Sequence, residues 1–273
     1  MNRRVLVTGA SGFIGGALCR RLEQAGNTVV GIGRRPLAEP NYLSHDLRTP
    51  IPSSLNGDWD AVVHAAARCS PWGRVRDYLH DNVVATRHVL DFCRCNGAPR
   101  LIYVSSSSVY YRPTHQLGLT EASPLPTRAV NPYAETKKAA EAMVRTYEGS
   151  WTVLRPRAVY GPGDTVLLPR IVAAARKGRL PIIAAGGEPI IGDLIYIDNL
   201  VDHLHTAVME SQAVGDINLT DNHPVAIVDF IGEVLRRLGV PAPRRKVSVR
   251  TAMVGAAALE TLHWLFAPQR EPA

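Results

Sequence analysis

Tyr133 and Lys137 stand four residues apart in the run Asn131-Pro132-Tyr133-Ala134-Glu135-Thr136-Lys137. On a helix that spacing puts both side chains on one face, with Cβ atoms about 5–6 Å apart. Asn131 can cap the free amides and Pro132 suits the first helical position, so a helix is predicted to start here with Tyr133 in its first turn. A phenol ordinarily titrates near ~10. An ammonium neighbour and the positive end of a helix both favour phenolate. Tyr133 is therefore expected to exchange a proton near neutral pH. The spacing alone also suits a solvated helix face with one aromatic and one charge.

A second constellation opens the chain. Arg4-Val5-Leu6-Val7-Thr8 is a short β-branched apolar run that reads as a buried strand. It enters Gly9-Ala10-Ser11-Gly12-Phe13-Ile14-Gly15, and an amphipathic stretch from Phe13 to Ala25 carries Ile14, Leu18 and Leu22 on one side. Strand, glycine-rich turn and helix form the context of a dinucleotide fingerprint, although the spacing is GxxGxxG rather than GxGxxG. The glycines let backbone approach a pyrophosphate, and the helix start supplies amides and positive dipole. A glycine turn without a ligand is the alternative.

Arg34 and Arg35 follow the second predicted strand, Thr28 to Gly33, where an NAD enzyme usually carries an acid. Two guanidinium groups can pair with a 2′-phosphate by charge-assisted hydrogen bonds, which favours NADP(H), with NAD(H) as the alternative. Solvated loop charges would look the same.

The elements that must position these groups alternate. Strands are expected at Asp60 to His64, Arg100 to Ser105 and Trp151 to Arg155. Helices are expected at Val75 to Cys95 and at 132–148. Such alternation argues α/β architecture with a doubly wound parallel sheet and a ligand at the C-terminal strand edge. The segment from Pro113 to Pro132 reads as a loop over that edge. Beyond about residue 156 prolines break the pattern into short pieces, and residues 195–210 are expected to return to the sheet.

Together these residues resemble the extended short-chain dehydrogenase/reductase family. Further matching pieces are Asp46-Leu47, His64-Ala65-Ala66-Ala67, Asn82-Val83, Ser105-Ser106-Ser107-Ser108-Val109-Tyr110, Leu154-Arg155-Pro156 and Tyr160-Gly161-Pro162-Gly163-Asp164. The stretch from Leu168-Pro169-Arg170 to Tyr196-Ile197-Asp198-Asn199 is most similar to the branch of 3β-hydroxysteroid dehydrogenases and bacterial β-keto acid reductases. The resemblance implies a Rossmann domain over residues 1–156, rejoined by 193–212, and a smaller discontinuous substrate lobe from 157–192 and 213–273. It implies Ser106 as the catalytic serine, Tyr133 as the acid/base, and Lys137 as the residue that lowers the tyrosine pKa and holds the nicotinamide ribose. Cofactor contacts are implied for Gly9, Ser11, Gly12, Phe13, Ile14, Gly15, Asp46 (toward the adenine amino group), Leu47, Ala65, Ala66, Ala67, Asn82, Ser105, Pro156 and Val159. Asp46 as a turn-former and Asn82 as a capping or packing residue remain open. Ser107 and Ser108 read as polar loop filling.

Composition excludes other classes. The chain has 273 residues, 46% hydrophobic and 20% charged, which suits one large α/β domain with a smaller lobe and not disorder. Cys19, Cys69, Cys93 and Cys95 form no zinc pattern and are expected to be reduced thiols of a cytoplasmic protein. No metal is expected. The net charge of +7 comes from scattered arginines with no basic run between aromatics, so nucleic acid is not an expected partner. Arg157, Arg170, Arg176 and Arg179 could serve the diphosphate of a nucleotide sugar, which keeps epimerase or dehydratase chemistry as an alternative. Leu167, Leu168, Ile171 and Val172 beside them suggest an apolar wall. The expected activity is an oxidoreductase interconverting hydroxyl and ketone on a hydrophobic substrate, sterol-like or a β-keto acid. A non-catalytic dinucleotide sensor is the third class. The apolar stretch from Val247 to Phe266 reads as a lobe helix, with peripheral membrane contact as the alternative. The resemblance also implies a homodimer, through the helices near 76–96 and 132–148.

Overall fold

Five runs rich in β-branched residues and two less obvious strands build a single parallel sheet. The computed structural model describes residues 2–70, 72–114, 116–184, 189–210, 212–243, 245–248, 251, 252 and 255. The first six strands are β1 (Arg4–Thr8), β2 (Thr28–Gly33), β3 (Tyr42–Ser44), β4 (Ala61–His64), β5 (Arg100–Val104) and β6 (Trp151–Pro156). Short strands follow as β7 (Ala158–Tyr160), β8 (Ile182–Ala184), β9 (Ile191–Gly192) and β10 (Leu194–Tyr196). The remaining three are β11 (Gly215–Leu219), β12 (Val225–Ala226) and β13 (Lys246–Ser248). The seven-stranded sheet runs β11-β6-β5-β4-β1-β2-β3. The chain winds outward from β1 to β3, then crosses to β4 on the other side of β1. The reversal opens a crevice at the C-terminal ends of β1 and β4, where ligands of such sheets bind.

Helices cover both faces because strand side chains alternate. Val5 and Val7 pack with Leu18 and Leu22 of α1 (Phe13–Gln24) and with Leu200 and Leu204 of α6 (Ile197–Met209). Leu6 points the other way, into a core with Val89 and Leu90 of α3 (Ala85–Cys95) and Ala140 and Val144 of α4 (Pro132–Val144). Each of these large side chains contributes about 1.5–3 kcal/mol by burial. Together they fix the strand ends that carry the site.

Three local outcomes differ from the sequence reading. Residues 75–95 form a short α2 (Val75–Tyr78), a π-helical turn over Leu79–Val84, and then α3. The wider turn rotates Asp81 and Asn82 inward, to 8% and 1% exposure. Helix α4 ends at Val144 rather than 148, because Thr146 and Tyr147 tighten to the carbonyls of Met143 and Val144. Gly215–Leu219, expected in the smaller lobe, instead pairs with β6 as the outer strand of the large sheet, from Gly215 opposite Thr152 to Leu219 opposite Pro156. Its half-polar sequence and partial burial are those of an edge strand, which lacks the apolar run that marks the others.

The smaller lobe contains α5 (Leu168–Arg176), α7 (Ile227–Arg237) and the pairs β8–β13 and β9–β12, around Ala175, Leu235 and Val240. Most of the apolar stretch Val247 to Phe266 lies outside the described residues. No helix among the described residues is long and apolar enough to cross a membrane.

Candidate active site

The glycine loop is shaped by close backbone contacts. Gly9 has φ +73°, and a Cβ there would stand 2.8 Å from the Ala66 amide nitrogen. A Cβ on Gly15 would stand 2.3 Å from the Gly9 carbonyl oxygen, so α1 can seat against the loop only with glycine here. Gly12 caps α1 without a side-chain bond, and the first turn holds no acid. Its orphan amides and positive dipole therefore face the crevice, a donor set that fits a dinucleotide pyrophosphate.

The crevice is a cleft of about 570 Å³. It brings together Gly9, Ser11, Gly12, Phe13, Ile14, Gly15, Arg34, Arg35, Asp46, Leu47, Ala65, Ala66, Ala67, Ser105, Ser106, Tyr133, Lys137, Pro156 and Val159. Asn82 is the exception. Its Oδ1 accepts from the Arg68 amide at 2.7 Å and its Nδ2 donates to Thr136 Oγ1 at 3.0 Å, so it ties α4 to the loop after β4 instead of lining the cleft. Asp46 lines the cleft but also makes the turn, its Oδ1 accepting from the Arg48 amide at 3.0 Å.

At the sheet side, α4 is capped as its sequence predicts: Asn131 Oδ1 accepts from the Ala134 amide at 2.8 Å. The half-buried Tyr133 and Ser106 line the cleft together, the Ser106 hydroxyl favouring the Tyr133 phenolate, and Ser106 Oγ accepts from the Ser108 amide at 3.2 Å. Lys137 is buried. Its Nζ donates to the Val104 carbonyl at 2.7 Å and lies 4.6 Å from the Tyr103 ring centre. Burial pushes the Lys137 ammonium down to about 8, against the opposing pull of Cys69 and Glu141. The expected lowering of the Tyr133 pKa is not seen: burial, followed by Cys69, pushes the phenol up.

Ser105 faces inward. Its Oγ donates to Glu141 at 2.6 Å, and the Arg155 guanidinium pairs with the same carboxylate through Nε at 2.9 Å and Nη2 at 2.7 Å. Arg155 also reaches Asp216 and the Tyr110 hydroxyl. His64 is buried between Thr8 and Thr86 at 2.7 and 3.0 Å. Burial, then the Lys137 charge, lowers its pKa to about 3, so it is neutral.

The structure adds Asp81 and Arg48, which pattern reading missed, and places Arg157, one of the four arginines considered for a diphosphate, in the cleft. Buried Asp81 accepts from Arg48 at 2.6 Å and Arg68 at 3.0 Å and lies 3.5 Å from the Arg34 guanidinium. Arg48 lines the cleft directly after the Asp46-Leu47 pair, a sequence neighbour that pointed to it. Cys69 and Arg157 line it too, whereas Arg170, Arg176 and Arg179 do not. Opposite the sheet, the Asp164 carboxylate accepts from the amides of Val166, Leu167 and Leu168 and so fixes an apolar wall of Val166 and Leu167. Among the described residues no cluster of His, Cys, Asp and Glu is placed to hold a metal ion.

A doubly wound sheet with a glycine-loop cleft and a Ser-Tyr-Lys edge defines a dinucleotide-dependent oxidoreductase fold. Residues 5–220 match the NAD dependent epimerase/dehydratase family, and the chain belongs to it. It is 33% identical to a 2-alkyl-3-oxoalkanoate reductase of Stenotrophomonas maltophilia, over 98% of this chain and 86% of that one. It is 27% identical to the decarboxylating sterol-4-alpha-carboxylate 3-dehydrogenase of Mus musculus, over 97% of this chain and 77% of that one. Among solved structures it is similar to MoeE5 in complex with UDP-glucose and NAD, with a TM-score of 0.75, 28% identity, and coverage of 91% and 86%. The chain is an NAD(P)-dependent enzyme of the extended short-chain dehydrogenase/reductase type, acting on a hydroxyl/ketone pair.

Proposed function

We propose that this protein is an NADP(H)-preferring reductase of a hydrophobic ketone, sterol-like or a β-keto acid, with Ser106, Tyr133 and Lys137 as its catalytic residues. The observation that carries this reading is that Ser106 and Tyr133 line one cleft with Val166 and Leu167, and that buried Lys137, one helical turn beyond Tyr133, lines it too. The glycine loop would hold the pyrophosphate, Lys137 the nicotinamide ribose, and Arg34 and Arg35 a 2′-phosphate. When bound, the nicotinamide supplies the hydride.

The chain's own residues do the rest. Ser106 Oγ donates to the substrate oxygen and orients it toward Tyr133. Tyr133 gives its proton to that oxygen during reduction, and the raised pKa keeps the phenol in the protonated form that reduction needs. Val166 and Leu167 exclude water on the substrate side. The four cysteines are unpaired, which supports a reducing, cytoplasmic setting. In this reading two copies pair through α3 and α4, as the family resemblance implies.

The test is the loss of reduced-nicotinamide absorbance, NADPH against NADH, over hydrophobic β-keto acids, steroid ketones and nucleotide sugars. Oxidation of NADPH by an apolar ketone is the expected result. Conversion of a nucleotide sugar with no net cofactor turnover would replace the reading with epimerase or dehydratase chemistry. Tight dinucleotide binding without any turnover would replace it with a sensor.

A further inference from the structure

Three arginines converge on one buried acid on the β2–β3 side of the sheet. The Asp81 side chain is only 5% exposed. Its Oδ2 accepts from Arg68 Nε at 3.0 Å. Its Oδ1 accepts from Arg48 Nε at 2.6 Å and lies 3.5 Å from Arg34 Nη1. One guanidinium is enough to neutralise one carboxylate, so the set holds more cations than the acid needs. Arg68 is the arginine compensated within the fold: Asp77 stands 3.7 Å from its Nη2, and Arg68 does not line the cleft. Arg34 and Arg48 both line it and share a single carboxylate oxygen, which leaves their two charges half compensated.

Arg48 is held so that its outer nitrogens stay available. Its amide donates to Asp46 Oδ1 at 3.0 Å, the preceding Leu47 is buried, and its Nε is fixed by Asp81. Nη1 and Nη2 have no hydrogen-bond partner among the described residues, and the side chain is 37% exposed. Arg34 reaches the same acid from a different loop, its carbonyl accepting from Ser44 Oγ at 3.2 Å. The two side chains thus meet at Asp81 from the loops after β2 and β3.

The sheet order says which anion would meet them. The glycine loop follows β1, Ser106 follows β5 on one side of β1, and β2 and β3 lie on the other. A dinucleotide with its pyrophosphate on the glycine loop and its nicotinamide toward Tyr133 sends its adenosine toward β2 and β3. There NADP(H) differs from NAD(H) by one group, the 2′-phosphate, a monoester with a charge of about −1.5 to −2 near pH 7. Half-compensated guanidinium groups gain much from that anion and little from a neutral ribose hydroxyl.

We propose that Arg48 is a ligand of the cofactor's 2′-phosphate, together with Arg34, and so sets the preference for NADP(H) over NAD(H). The proposal rests on the NADP(H) reading above and adds a residue from beyond the β2 turn.

The experiment titrates NADP⁺ and NAD⁺ calorimetrically into wild type, Arg48→Met and Arg48→Lys. Wild type is expected to bind NADP⁺ more tightly. Arg48→Met should lose roughly tenfold or more in NADP⁺ affinity and stay within about twofold for NAD⁺, and Arg48→Lys should recover part of the loss. Equal losses for the two cofactors overturn the proposal, because Arg48 would then only neutralise Asp81. Unchanged affinity for both overturns it as well. Equal binding of NADP⁺ and NAD⁺ by wild type defeats the NADP(H) reading itself, a failure distinct from that of Arg48.

Discussion

The Ser105 hydroxyl donates a 2.6 Å hydrogen bond to Glu141, one helical turn beyond Lys137 on α4. That bond ties the end of β5 to the helix carrying the proposed acid/base pair. It also separates neighbouring serines, since Ser106 lines the cleft beside Tyr133 while Ser105 turns to a buried carboxylate also held by Arg155. Ser106→Ala should lower kcat by about 10²-fold or more with little change in unfolding free energy. Ser105→Ala should cost about 1.5–3 kcal/mol, the range for a hydrogen bond to a charged group, and lower kcat much less. Urea unfolding and steady-state kinetics on both variants check this. Similar kcat losses in the two would remove Ser106 from its special position.

Tyr133→Phe removes the proton donor and leaves the ring in place. Turnover should fall by about 10²–10⁴-fold, while the affinity for NADPH, measured by fluorescence quenching, stays within about twofold. A variant with wild-type turnover would show that another group supplies the proton.

The parts of the site that were legible in the sequence are those written into single local elements. The Tyr133–Lys137 spacing, the Asn131 cap and the Gly9–Gly15 loop each need only a helix period or a tight turn to be read. Asp81 was not legible. Val75 to Cys95 has continuous helical periodicity, and only the π turn over Leu79–Val84 brings Asp81 and Asn82 inward. The direction of the Tyr133 shift was misread for a related reason. Spacing shows which charge is near but not how much water is lost, and burial is the largest influence on the phenol. Gly215–Leu219 was missed because an edge strand beside β6 needs little apolar sequence.

Arg34 and Arg35, proposed above to hold a 2′-phosphate, line the cleft, and Arg34 lies 3.5 Å from Asp81. Burial alone would raise the Asp81 pKa, but Arg48, Arg34 and Arg68 hold it below the usual carboxylate range. The acid therefore stays ionised and keeps the arginines gathered. Replacing Arg34 and Arg35 together by alanine should weaken NADPH by about 10–100-fold and NADH by about threefold or less, since only the former carries the phosphate. Equal losses for the two cofactors would remove the 2′-phosphate assignment.

His64 makes a prediction about acid stability. Its folded pKa is about 3 because it is buried, and because Lys137 adds a like charge. An unfolded histidine titrates near ~6.5. Between these values the unfolded chain binds a proton that the folded chain does not. Stability from this group is therefore complete above the unfolded value and is lost as pH falls below it, at about 1.4 kcal/mol per pH unit. His64→Gln can keep polar contact with Thr8 and Thr86 without the titration. Urea unfolding of wild type should lose about 2 kcal/mol more than His64→Gln between pH 7 and pH 5. Parallel pH slopes would mean that His64 is protonated in the folded protein, beside the Lys137 ammonium, and that the electrostatics of the Tyr133–Lys137 edge differ from those described here.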